Sequence, residues 1–146
     1  MTKNNLQGEE REPMTRSELR KNIFKIIFRL EFHQGEAMEE QLKLRLEELE
    51  AEGVEETELS YIGTKAQAII DCIDELDEVI GAHSKGWKVD RLGKTELAIL
   101  RLAAYEILKD DDIPKSVAIN EAVELAKMYS SDEAPRFING ILAKLG

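Results

Sequence analysis

The chain has 146 residues, enough to bury one core and to form one domain. Three prolines, nine glycines and 34% charged residues are the balance of a soluble helix-rich protein rather than a β-sandwich. No apolar run approaches the roughly 20 residues that span a bilayer and no cleavable leader is visible, so a cytoplasmic protein without membrane contact is expected.

Residues 1–13 are almost free of apolar side chains and end in Pro13, which predicts a disordered arm ahead of a domain over 14–146. From Thr15 the pattern is helical, with Leu19, Ile23, Ile26, Ile27 and Leu30 on one stripe and Gly35 as its end. Met38, Leu42, Leu46 and Leu49 mark a second amphipathic helix that Gly53 stops. Leu59, Ile62, Ala66, Ile69, Ile73, Leu76 and Ile80 alternate at three and four residues and predict one long third helix. Gly81 to Gly86 reads as a connection and Trp87 to Leu92 as a short turn. The next helix carries Leu97, Leu100, Ala104 and Leu108 on one face, and Asp110 to Pro114 breaks it. Ser116 is placed to cap a helix reaching about Tyr129, and Asp132 to cap a last one carrying Phe137, Ile138, Ile141, Leu142 and Leu145. No alternating strand pattern occurs, so the expected fold is all-α, an orthogonal or bundled packing of about six to seven helices.

Catalytic signatures are missing. His33 and His83 lack metal-ligand spacing, and there is no phosphate loop, GxSxG elbow or CxxC pair. The single cysteine, Cys72, excludes an internal disulfide and reads as a buried small hydrophobe. No catalytic residue, metal or cofactor is therefore expected, and the chain reads as a non-enzyme.

A formal net charge of −10 argues against phosphate binding only until its distribution is considered. Residues 14–30 carry +4, whereas residues 36–58, with ten glutamates, carry −8. At about 100° per residue, Phe24 and Phe28 lie near 80° and 120° from Arg16, off the apolar stripe and among Arg20, Lys21 and Lys25. Cations interleaved with rings suit single-stranded RNA; equally, the two phenylalanines can widen a buried face.

The run Glu96-Leu97-Ala98-Ile99-Leu100-Arg101-Leu102-Ala103-Ala104-Tyr105-Glu106 resembles a core segment of the NusB family. Ile113-Pro114 and the segment Val117 to Lys127 (VAINEAVELAK) resemble a second family signature, and Phe137-Ile138-Asn139-Gly140-Ile141-Leu142 is similar to its closing motif. The three stand in the family's order, and the similarity covers roughly Thr15 to the C-terminus. The first helix departs most: Phe28 stands where a tyrosine is usual, keeping the ring and losing the hydroxyl.

The resemblance implies a transcription antitermination factor that binds boxA-type single-stranded RNA, notably of ribosomal RNA leaders. Its partners would be a NusE-like ribosomal small-subunit protein and, with other Nus factors, the elongating RNA polymerase. Arg16, Arg20 and Lys21 are the expected phosphate contacts, Phe28 and Phe137 beside Arg136 the expected base contacts, and Glu96, Arg101 and Tyr105 the expected partner face. Phe137 also reads as the first core residue of its helix, and Arg101 and Glu106 as residues that either pair internally or face a partner. Ala103, Ala104 and Gly140 are expected to let helices approach closely, and Asn120 and Asn139 to make buried hydrogen bonds. A helical protein-binding adaptor and an RNA-targeting module of an rRNA methyltransferase system are the competing functions. Monomer and homodimer are both compatible with the sequence.

Overall fold

A computed structural model describes residues 12–33, 35–84 and 92–146. Most of the expected N-terminal arm and the Trp87 to Leu92 turn lie outside the described residues. Among those described, seven helices and no strand occur: α1 (Arg16–Leu30), α2 (Glu36–Ala51), α3 (Glu56–Asp71), α4 (Ile73–Ala82), α5 (Lys94–Lys109), α6 (Lys115–Tyr129) and α7 (Ala134–Leu142). None of them is long and apolar enough to cross a membrane.

The fold is organised around α5, which packs against α1, α3, α4, α6 and α7. Every residue from Leu97 to Ala104 is buried, the mark of a helix enclosed on all sides. Ala103 and Ala104 are small at that crowded centre, as expected. The helices α1, α2 and α3 pack mutually on one side of α5, and α6 and α7 pack together on another.

Helix ends follow local chemistry. Thr15 and Glu18 form a capping box: the Thr15 hydroxyl accepts from the Glu18 N–H at 3.1 Å and the Glu18 carboxylate accepts from the Thr15 N–H at 2.8 Å. After α2, Gly53 takes φ 97°, open mainly to glycine. The Val54 N–H then reaches the Leu49 carbonyl at 3.1 Å and the Gly53 N–H that of Glu50 at 3.0 Å, while the Val54 and Leu49 side chains are both buried. That is a Schellman stop.

Four local expectations are corrected. The long third helix breaks at Cys72 (φ −122°, ψ 26°), so that α3 packs on α1 and α2 while α4 turns onto α5; an unbroken three-and-four spacing does not reveal such a bend. Cys72 itself is half-buried, its thiol donating to the Ala68 carbonyl at 3.3 Å. Pro114 and Glu133, rather than Ser116 and Asp132, precede the first turns of α6 and α7. Finally, Asn120, Asn139 and Gly140 are exposed, and a methyl group on Gly140 would meet nothing within 4 Å. All three lie away from the buried faces of their helices, which are built by Ala118, Ala122, Leu125 and Ala126 on α6 and by Ile138, Ile141 and Leu142 on α7.

Candidate nucleic-acid and partner interface

The stripe of Ile23, Ile26, Ile27 and Leu30 turns one side of α1 into the core, and the next residues around the helix set its chemistry. Phe24 is buried and Phe28 half-buried, with ring centroids 6.3 Å apart. Phe28 meets Phe32 edge-on at 5.6 Å, and Phe24 meets Tyr129, the last residue of α6, at 5.1 Å. The four rings form one row whose ends are open, Phe32 being 59% and Tyr129 37% exposed. Each open end carries a cation: Lys94 Nζ lies 5.5 Å from the Phe32 centroid and Lys25 Nζ 6.0 Å from that of Tyr129. Arg16, Lys25 and Arg29 are exposed on the same helix and Lys21 is half-buried. Sequence reasoning missed Phe32 and Tyr129. The spacing of Phe24, Phe28 and Phe32 at i, i+4 and i+8 carries the first; nothing local carries the second, which arrives from another helix.

Arg20 is not among the outward cations. Only 2% exposed, it directs Nε to both Glu106 carboxylate oxygens at 3.0 and 3.1 Å. Glu106, 1% exposed, also receives Lys65 Nζ at 2.8 Å, and Lys65 pairs with Asp110 at 2.9 Å and donates to the Tyr61 hydroxyl at 2.8 Å. Burial pushes the Lys65 ammonium down, but Glu106, Tyr61 and Asp110 outweigh it and hold the pKa above its ordinary value. The expectation that Arg20 holds phosphates is corrected: at this depth the guanidinium must be neutralised by protein, and Glu106 does so.

Arg101 is corrected in the same way. It is 6% exposed, forks onto the Asp77 carboxylate with two bonds of 2.7 Å, and donates to Glu31. It therefore ties α5 to α4 and to the end of α1 rather than facing a partner. Burial opposes its charge, but Asp77 and then Glu31 prevail and raise its pKa. Tyr105, half-buried, lines a cleft of about 360 Å³ with Tyr61, Lys65 and Asp110. Glu96 is half-buried and accepts the Ser130 hydroxyl. The three expected partner residues thus leave α5 toward different neighbours and do not share one face.

Arg136 and Phe137 do come together. Arg136 is exposed and Phe137 half-buried, and with His83, Glu133, Gly140 and Lys144 they line a groove of about 540 Å³. No α1 residue lines it, so this basic and aromatic pair stands apart from the α1 row. No cluster of three metal-ligating side chains occurs among the described residues.

Residues 17–146 match the NusB family model. The chain belongs to the NusB family. It is 52% identical over 131 residues to the transcription antitermination protein NusB of Agathobacter rectalis, a match covering 90% of this chain and 98% of that one. Its fold is that of NusB from T. maritima, with a TM-score of 0.79, 30% identity and 91% of each chain covered. A structure of the antitermination factors NusB and NusE in complex with dsRNA shares the fold at a TM-score of 0.70 and 24% identity, covering 89% of this chain and 96% of that one. In this NusB-family chain the row of rings and Glu96 are neighbours: Ser130, which donates to Glu96, follows Tyr129, and Lys94 stands one turn or less from Glu96 while lying over Phe32.

Proposed function

We propose that this chain is a transcription antitermination factor that binds boxA-type single-stranded RNA together with a NusE-like ribosomal small-subunit protein and joins the elongating RNA polymerase, without catalysis of its own. The observation that carries the reading is the row Tyr129, Phe24, Phe28 and Phe32, open and cation-flanked at both ends. Splayed bases need ring faces and phosphates need fixed charge, and the row with the cations of α1 and Lys94 beside it offers both. Arg16, Lys21, Lys25 and Arg29 serve the phosphates, and Arg136 with Phe137 extends the contact to a second groove. Glu96, at the edge shared with Ser130 and Lys94, is the residue proposed to meet the basic partner. A protein placed there adds its own grip on the same strand, so two modest surfaces reach high affinity by linkage.

The test is fluorescence anisotropy on a labelled boxA-like RNA, with and without the NusE-like protein. Phe32→Ala, at an exposed position, should cost roughly 1–3 kcal/mol of RNA affinity. Lys25→Glu should weaken all single-stranded RNAs and flatten the salt dependence by about 0.7 in log–log slope. Glu96→Lys should weaken heterodimer formation with little change in helicity. Folded Phe32→Ala protein that binds RNA like the parent would remove the row from the site.

A further inference from the structure

A second surface lies on α2 and α3, outside the RNA reading and independent of it. Leu46 of α2 sits against Gly63 of α3, and Gln67 donates to Glu39 at 3.1 Å, so the two helices run antiparallel. Between them runs a groove of about 520 Å³. From Glu39 to Glu50 its α2 wall is about 16 Å long, three turns of helix. Leu46 and Leu59 form a half-buried apolar floor. Gly63 keeps that floor low, because a methyl group there would stand 3.0 Å from Leu46 Cδ1. A glycine inside a helix costs about 1 kcal/mol relative to alanine, so close packing at this point offsets a real local penalty.

Glu39, Glu47 and Glu50 wall the groove on the α2 side, Lys43 being the one cation among them, and Asp71 stands on the α3 wall where the groove runs on beyond Gln67. We propose that this groove is a docking site for a basic amphipathic helix of another protein, leucine-like residues on the floor and lysine or arginine against the walls. Charge complementarity selects that occupant. A nucleic acid would meet carboxylates, and a second copy of this chain brings a net charge of −10 to an already acidic face.

The probe is a synthetic helical peptide of about four turns with leucines at i, i+4, i+7 and i+11 on a lysine background, titrated into the full chain labelled with ¹⁵N. Amide shifts should concentrate on α2 and α3 around Leu46, Leu59 and Gly63. The same peptide scrambled to destroy its apolar stripe should bind on the order of tenfold more weakly. The doubly substituted Glu47→Lys, Glu50→Lys chain, altered only at exposed positions, should lose about tenfold in affinity for the striped peptide while keeping its helicity and RNA binding. Equal binding of both peptides, shifts spread over the acidic residues of α4 as well, or no binding would overturn the proposal. So would sedimentation showing a dimer of the parent chain that the Glu47→Lys, Glu50→Lys substitutions convert to monomer.

Discussion

Replacing Glu106 by glutamine should be among the most damaging conservative changes in this chain. The carboxylate is 1% exposed and neutralises two buried cations, Arg20 at 3.0 Å and Lys65 at 2.8 Å. Glutamine keeps the volume and one acceptor oxygen but loses the charge and turns an amide N–H₂ toward two donors. Removing one partner from a buried ion pair costs about 3–5 kcal/mol, because the remaining charge is stranded. Lys65 retains Asp110 at 2.9 Å, which places the expectation near the lower end, ~3 kcal/mol. For a domain of this size that corresponds to a fall in Tm of roughly 10 °C. Urea titration followed by circular dichroism measures the loss directly. A combined Arg20→Met, Lys65→Met, Glu106→Leu, Asp110→Asn chain should regain most of it, because no unpaired charge is then left inside. If Glu106→Gln came within about 0.5 kcal/mol of the parent, the damage expected of a broken buried network would be absent and the argument would fail.

Arg20→Glu should fail as a folding variant before it fails in RNA binding, since it sets a second carboxylate against Glu106 in the interior; a cooperative melt like the parent's would contradict this. Burial pushes the Asp110 carboxyl up, but its hydrogen bond with Lys65 and the Lys65 charge prevail and hold it below the ordinary carboxylate value. Its contribution to stability is therefore present above about pH 4 and lost as pH falls through the depressed folded value. Asp110→Asn should flatten the acid limb of the stability profile, and an unchanged limb in urea titrations from neutral to acid pH would count against the pairing. Gly53→Ala should cost ~1 kcal/mol, because alanine at φ 97° is strained, and a neutral result by chemical denaturation would mean the Schellman stop relaxes at no cost.

The helical elements were legible because apolar spacing reports which side of a helix meets the core, and Gly53 was legible as a stop because few residues adopt its backbone. The Cys72 bend was not, since residues on both sides of it keep the same three-and-four spacing while facing different neighbours. Charge sign could be read from composition, yet depth could not. Arg20 lies four residues from Arg16 and one from Lys21, and only the arrival of Glu106 from α5, 86 residues later, turns it from a surface cation into a buried one. Tyr129 escaped for the same reason, because its place beside Phe24 is made by the docking of α6. The contact of Phe28 with Phe24 was within reach of the sequence because the two rings stand one turn apart on α1.

The central position of α5 has a consequence for how the chain is made. Glu106 is synthesised after both cations it neutralises, so while the first hundred residues are emerging, Arg20 and Lys65 have no buried acid to meet and remain hydrated. The apolar sides of α1, α3 and α4 that face α5 likewise have nothing to close against. At about 5–20 residues per second this interval lasts several seconds. The acidic run of residues 36–58 is translated within it, before the helix that closes the core. Like charge on those glutamates repels other copies of the chain at the stage when its apolar stripes are still uncovered.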